Sequence, residues 1–295
     1  MNKEKIKKYK LKASIHTLAV KSNGIVEDIL DEVTHCIKAS SQTKDEITTT
    51  SIINVNKLWG DVFSYSDFEA VLSTILAGAG INDYSIVRAD MRFDSYDKKH
   101  YKEFAKLNRY LISSLAVTYS VRNSYRTTDL FTQKQLSIAI KNKYFECENY
   151  DKSAESNGYD IAQSRLEERS KASLKEKSLI EEFTEGWELR WEKAINNLDK
   201  VHKTYNDVLE TIYKEDLNSC PTKFRSLTDF LIQYQECIFC KAQMVDLLSR
   251  FKEVRDPLTR AENHKKRYGI EYFSHKDVLY ATNEIKRATN EFFMN

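Results

Sequence analysis

Glycine and proline are scarce in this sequence. The 295 residues include only 7 Gly and 2 Pro, so few tight turns can interrupt the chain and most of it should form regular helices and strands. The sequence contains neither a Gly-x-x-x-x-Gly-Lys phosphate-binding loop nor a Gly-x-Gly-x-x-Gly dinucleotide fingerprint. These absences argue against a P-loop ATPase and against a Rossmann dehydrogenase.

Cysteine and histidine patterns exclude further classes. The five cysteines are an odd number, which does not suit a disulfide framework. Cys237 and Cys240 have metal or redox spacing, but they lack a second pair or a histidine cluster and lie in an apolar helical pattern, so we expect buried, reduced thiols. The six histidines form no His-x-His or His-x-x-x-His pair, which argues against a two-histidine metal site or a zinc protease.

Long apolar runs are also absent. No segment has membrane-spanning length, and the lysine-rich start is not followed by the apolar segment of a signal peptide, so we expect a cytoplasmic protein with no membrane partner. The composition, 31% charged and 41% hydrophobic, is typical of a folded globular chain. Because the net charge is only +2, a nucleic-acid surface would have to come from local clusters of basic residues.

Apolar residues alternate with polar ones along much of the first half of the chain, with helical patterns between these stretches. The predicted strands are 9–20, 46–55, 82–94, 136–140, 145–150 and 165–169, and the predicted helices are 24–40, 67–79 and 98–121. Several strands in succession favour an α+β fold with an antiparallel sheet.

The pattern changes to purely helical near Ser173. We therefore predict a sheet-based domain over residues 1–175, a long charged helix or helical hairpin over 176–218, and a helical region over 219–295. The last region should contain an apolar helix over 227–251, a short aromatic β-like piece over 268–273, and a final helix that begins at Ser274 with Asp277 completing its cap.

A basic stretch lies between the last two predicted helices. A helix, a basic turn and a second helix could form a helix-turn-helix unit that binds DNA, and the alternative is a solvated helical cap. The candidate DNA-binding residues are Arg250, Lys252, Arg255, Arg260, Lys265, Lys266 and Arg267.

Four charged residues alternate along the predicted strand 82–94, and alternate side chains share one face of a strand. They are Arg88, Asp90, Arg92 and Asp94. Burying such a charged face costs free energy unless the face is hydrated or binds a charged ligand. Asp90, Asp94 and Glu167 could supply oxygen ligands to Mg²⁺ or Mn²⁺, and the alternative is a salt-bridged, exposed sheet face.

Tyr150 is the candidate nucleophile, because a phenol oxygen can attack a phosphodiester. Lys152 follows two residues later and, on an extended strand, would share its face and favour the phenolate. Tyr144 is the most credible substitute nucleophile, and the alternative for Tyr150 is an edge tyrosine packed on a sheet.

Three motifs in order carry a family resemblance. Arg88-x-Asp90-x-x-x-Asp94, Tyr150-Asp-Lys152-x-x-Glu155 and Arg165-x-Glu167 resemble the replication initiation factor family, the Rep_trans-type initiators of rolling-circle plasmids and related relaxases, over about residues 83–171. In that family the tyrosine nicks one strand at an origin and keeps a 5′-phosphotyrosine link, and the free 3′-hydroxyl primes a polymerase. A divalent metal polarises the scissile phosphate.

The resemblance implies a role for each matching residue. Tyr150 would be the nucleophile and Lys152 would stabilise phosphate or phenolate, while Arg88 and Arg165 would orient carboxylates or bind phosphate. Asp90, Asp94 and Glu167 would hold Mg²⁺ or Mn²⁺. The implied partners are duplex origin DNA, single-stranded DNA, a host helicase and polymerase, and a second copy in a homodimer. The sequence departs from the family pattern at Arg92 and at Cys147-Glu148.

Two other functions remain open at this point. One is a non-catalytic, DNA-binding regulator of replication or transcription that acts through the C-terminal helices. The other is a metal-dependent nuclease that uses water in place of tyrosine.

Overall fold

An antiparallel sheet organises the first part of the chain. The computed structural model describes residues 8–23, 36–38, 48–121, 138–158, 161–171, 174, 177–218 and 226–295. The sheet has seven strands in the order β2-β3-β1-β4-β7-β6-β5. The strands are β1 (Leu11–Asn23), β2 (Ile37–Lys38), β3 (Thr48–Asn54), β4 (Tyr84–Ser95), β5 (Ile138–Lys141), β6 (Phe145–Asp151) and β7 (Ser164–Ser170).

The described helices lie both between these strands and after them. The first four are α1 (Asn56–Trp59), α2 (Tyr65–Gly78), α3 (Tyr101–Thr118) and α4 (Lys152–Glu155). The later ones are α5 (Leu179–Glu181), a π-helical turn (Glu182–Gly186), α6 (Trp187–Ile195), α7 (Leu198–Asn218), α8 (Leu227–Gln233), α9 (Lys241–Ser249), α10 (Pro257–Tyr268) and α11 (His275–Met294). The mixed α+β fold with a mostly helical C-terminal region is therefore confirmed.

One face of the sheet carries the apolar core. Strand β4 turns Ala89, Met91 and Phe93 to this face, and all three side chains are buried. Helix α3 packs on β5, β6 and β7 and also contacts α6 and α7, which explains why all its residues from 104 to 116 are buried. Helix α11 contacts β1, α2 and α3. A continuous hydrophobic core thus joins the sheet to the C-terminal helices, and the division of the chain into separate domains stays a prediction.

The predicted helix over residues 227–251 is interrupted, which corrects that prediction. Helix α8 ends at Gln233, a 3₁₀ turn covers Gln235–Cys237, and α9 begins only at Lys241. The Gln243 side chain accepts from the Phe239 amide at 2.8 Å and donates to the Cys237 carbonyl at 2.9 Å. Cys240 caps α9 by accepting from the Gln243 amide. Side chains therefore satisfy the backbone groups that the break exposes.

Two smaller predictions also differ from the structure. Residues 37 and 38 were expected in a helix over 24–40, but they form strand β2, which pairs with β3; residues 24–35 lie outside the described part of the chain. Residues 269–273 form no strand, and the Phe273 amide instead donates to the Phe239 carbonyl at 2.7 Å. The cap of the last helix is confirmed, because Ser274 and Asp277 form a capping box. Among the described residues, no helix is long and apolar enough to cross a membrane.

Candidate active site on the polar face of the sheet

Strand β4 turns its charged residues to the face opposite the core. Arg88 donates to both carboxylate oxygens of Asp90, at 2.8 and 2.5 Å. Asp94 accepts a bidentate pair from Arg165 on β7, at 2.6 and 2.9 Å. Arg92 lies between the two aspartates and donates to Ser14 and Asp61. The alternation seen in the sequence thus builds a row of ion pairs, and each buried carboxylate of this strand has an arginine partner.

Tyr150 lies beside this row because β6 pairs with β7. The antiparallel register sets Tyr150 opposite Arg165 and Glu148 opposite Glu167. The Tyr150 hydroxyl donates to Glu167 Oε1 at 2.7 Å, and Arg165 Nη1 lies 3.5 Å from the same hydroxyl oxygen. Glu167 Oε2 accepts from Arg169 at 2.7 Å. A phenol, a carboxylate and two guanidinium groups are therefore in direct contact on one face.

His16 belongs to the same group, and sequence reasoning missed it. A register shift between Ile15 and Thr17 breaks the alternation of β1 at His16. Its Nδ1 lies 3.2 Å from the Asp90 carbonyl oxygen, which can only accept, so Nδ1 carries the proton. Its Nε2 lies 3.8 Å from Glu167 Oε1. Because it has no histidine partner at metal-ligand spacing, no signal in the sequence marked this residue.

The electrostatics favour a protonated phenol beside an ionised carboxylate. Burial and the neighbouring Glu167 raise the pKa of Tyr150 above its ordinary value. Burial opposes ionisation of Glu167, but His16, the Tyr150 hydroxyl and Arg169 outweigh burial and hold the pKa of this carboxyl below its ordinary value. Burial also lowers the pKa of His16, and the neighbouring Glu167 opposes this shift. Glu167 thus accepts a hydrogen bond from the Tyr150 hydroxyl in an environment that favours the carboxylate form.

Lys152 does not lie on the strand as expected. It is the first residue of the single-turn helix α4, where the Asp151 side chain caps the turn by accepting from the Ala154 amide. Lys152 Nζ lies 5.9 Å from the centre of the Tyr150 ring and donates to Glu155 at 2.5 Å. The expectation that an extended strand holds Lys152 on the face of Tyr150 is therefore wrong, although the ammonium group lies near the ring.

Tyr144 is exposed and precedes β6, so it is not part of the strand. It is six residues from Tyr150, which corresponds to roughly 20 Å along an extended chain. The structure therefore separates this alternative nucleophile from the contacts of Tyr150.

The three carboxylates expected to bind a metal share one face without converging. Asp90 and Asp94 are four residues apart on β4, roughly 13 Å along the strand. Within the described residues, no three His, Cys, Asp or Glu side chains form a group that could hold a metal ion. Two candidate ligand atoms that do lie close together are His16 Nε2 and Glu167 Oε1, which are 3.8 Å apart. The metal assignment to Asp90, Asp94 and Glu167 stays a prediction.

The C-terminal basic residues lie at the end of helix α9, in the turn that follows it and on helix α10. Arg250 donates to Asp207, Glu210 and Asp246, so its charge is used to hold α7 against α9. The others lie in the turn and on α10, which buries only Ala261 and His264. Arg260 is half-buried, and the exposed ones are Lys252, Arg255, Lys265, Lys266 and Arg267.

Comparisons with known proteins give little further information. No family model matches the sequence, and no curated protein matches it. A solved rolling-circle replication initiator protein from Geobacillus stearothermophilus aligns over 55% of this chain and 74% of its own chain, with 10% identity and a TM-score of 0.30. A likeness at this level decides neither fold nor function, so the functional argument must come from the site itself.

Proposed function

We propose that this protein nicks one strand of DNA through Tyr150 and acts as an initiator of rolling-circle replication. The contact between the Tyr150 hydroxyl and Glu167 at 2.7 Å carries this proposal. A hydroxyl in contact with a carboxylate is the arrangement in which a base can activate a weak nucleophile. The resemblance of the three sequence motifs to the replication initiation factor family supports the same reaction.

The chemistry follows from the contacts of the hydroxyl. Glu167 takes the phenolic proton as the Tyr150 oxygen forms its bond to phosphorus. The bond from phosphorus to the 3′-oxygen breaks, that oxygen takes a proton from water and becomes a free 3′-hydroxyl, and the 5′-phosphate remains on the tyrosine. Arg165 lies 3.5 Å from the phenol oxygen and can stabilise negative charge on it and on the phosphate. The raised pKa of Tyr150 makes this assistance necessary.

A divalent metal remains part of the proposal, with a revised set of residues. An imidazole lone pair and an ionised carboxylate oxygen face each other in the pair of His16 and Glu167, which suits an ion held by two side chains together with phosphate oxygens and water. Such an ion would polarise the phosphate. Asp90 and Asp94 would act through their arginines, which align the face.

DNA recognition is proposed for helix α10. Its last turn carries Lys265, Lys266 and Arg267, and all three are exposed. These residues can neutralise phosphates, whereas Arg250 is held by three carboxylates. The proposed partners are therefore duplex and single-stranded DNA. A host helicase, a polymerase and a second copy of the chain are also proposed partners, although no contact among the described residues supports them.

The decisive experiment traps the covalent product. The protein is incubated with Mn²⁺ and a supercoiled plasmid that carries the gene for this protein together with the DNA on either side of it. We expect nicked circles and a protein–DNA adduct that peptide mapping places on Tyr150. The Tyr150→Phe variant should keep its fold and DNA affinity but form no adduct, because the substitution removes only the phenol oxygen. Tyr144→Phe is the matched control and should nick normally.

Other outcomes select other functions. An adduct on Tyr144, or on no tyrosine, would overturn the assignment. Cleavage that needs metal but gives no adduct would indicate a nuclease that uses water. DNA binding without cleavage would favour a non-catalytic regulator. The exposed basic residues in the last turn of α10 are the observation that supports this second candidate.

A further inference from the structure

A cavity lies between helices α6 and α11, on the side of the sheet opposite Tyr150. Its volume is about 140 Å³. Glu168 lines it from β7, since successive strand residues point to opposite faces and Glu167 faces Tyr150. Trp187 and Trp191 line it from α6, and Ile285 and Thr289 line it from α11. The cavity is therefore separate from the proposed nicking site.

Glu168 is a buried carboxyl that forms no salt bridge in the described part of the chain. Its side chain is 1% exposed, and its one hydrogen bond among these residues comes from Trp191 Nε1, at 2.7 Å. The Arg190 guanidinium, which acts on Glu168 only through its electrostatic field, donates to Glu182 at 2.7 Å. A buried acid of this kind is costly to keep, and a ligand that brings a positive charge would offset that cost.

The walls and the entrance suit the same kind of ligand. Two indole rings, those of Trp187 and Trp191, line the cavity and can pack against the apolar body of a ligand. The entrance carries Glu188 and Glu192, and Lys286 there is paired with Glu188. An apolar cavity of about 150 Å³ in another protein is known to hold benzene, so this volume admits a molecule with one six-membered ring.

We propose that this cavity is a binding site for a small organic ammonium ion. The apolar body of the ligand lies against Trp187 and Trp191, and its nitrogen donates to Glu168. This inference rests on the cavity, the carboxyl and the indole rings, and it does not depend on the proposed DNA chemistry.

Three probes of similar size and different charge test the proposal by isothermal titration calorimetry. They are benzylammonium, benzyl alcohol and benzoate. We expect saturable binding of benzylammonium, weaker binding of benzyl alcohol and no binding of benzoate. Glu168→Gln keeps the shape of the side chain and an acceptor for Trp191 but removes the charge. This variant should weaken benzylammonium binding by about tenfold or more, as the loss of a charge-assisted hydrogen bond does.

Glu192→Gln is the matched control, because it removes an exposed carboxylate at the same entrance and should change the affinity less than about twofold. Equal binding of benzyl alcohol and benzylammonium, or unchanged binding by Glu168→Gln, would overturn the proposal, as would no binding at all.

The comparison of the three probes uses the unaltered protein, so it tests the proposal even if Glu168→Gln fails to fold. In that case equal binding of benzyl alcohol and benzylammonium, or binding of benzoate, would overturn the role of the Glu168 carboxyl.

Discussion

Glu168 should make the stability of this protein fall as pH rises, and Glu168→Gln should remove that fall. Burial raises the pKa of this carboxyl from its ordinary 4.5 to about 8. Below about pH 4.5 the group is protonated in both the folded and the unfolded chain and has no effect. Between about pH 4.5 and 8 the unfolded chain ionises and the folded chain does not, so the free energy of unfolding decreases with pH.

The magnitude follows from the size of the pKa shift. A shift of one unit corresponds to about 1.4 kcal/mol, so the full effect of Glu168 is about 5 kcal/mol once the pH exceeds about 8. That is a large part of the stability of an ordinary domain. Glutamine has the same shape and still accepts from Trp191, so the two proteins should be nearly equally stable near pH 4.5 and differ most near pH 8.

Urea unfolding followed by circular dichroism at a series of pH values measures this difference. Other titrating groups occur in both proteins, so the difference between the two curves isolates Glu168. Glu192→Gln serves as the control, because its exposed carboxylate should give no such difference. Parallel curves for the unaltered protein and Glu168→Gln would refute the reasoning, since they would mean that Glu168 is solvated or paired with a cation in the folded chain.

Two further predictions test the polar face and helix α10. Asp94→Asn removes the negative charge that pairs with Arg165, and both side chains are buried. We therefore expect the free energy of unfolding, measured by denaturation, to fall by about 3 kcal/mol or more, whereas Asp83→Asn at an exposed position should change it little. Neutralising the three basic residues in the last turn of α10 should weaken duplex binding and reduce the salt slope of the affinity by up to about 3, while nicking of a single-stranded oligonucleotide persists; these residues are Lys265, Lys266 and Arg267. Fluorescence anisotropy at several salt concentrations measures this slope. A variant with Lys200 and Lys203 on α7 neutralised is the control, and unchanged affinity after the α10 substitutions would show that another surface recognises the DNA.

Local sequence patterns predicted most of the described secondary structure. The alternation over residues 82–94 corresponds to β4 (Tyr84–Ser95), and the helical spacing over 67–79 corresponds to α2 (Tyr65–Gly78). These patterns succeed because the burial of one face imposes a period of 2 on a strand and about 3.6 on a helix. The interruption of the helix predicted over 227–251 could not be read in this way, because it depends on the bonds that the Gln243 side chain makes to the backbone.

The sequence by itself determined that charged residues alternate on β4 and that Tyr150 is close along the chain to the strand that carries Glu167. Only the tertiary structure decided which of these groups touch. The strand order sets β1 beside β4 and β7 beside β6, and the shift in register at His16 turns that side chain towards Glu167. Arg250 was likewise predicted from the sequence to contact DNA, but in the fold it pairs with three carboxylates. Contacts between distant residues depend on pairing and packing, which local periodicity does not encode.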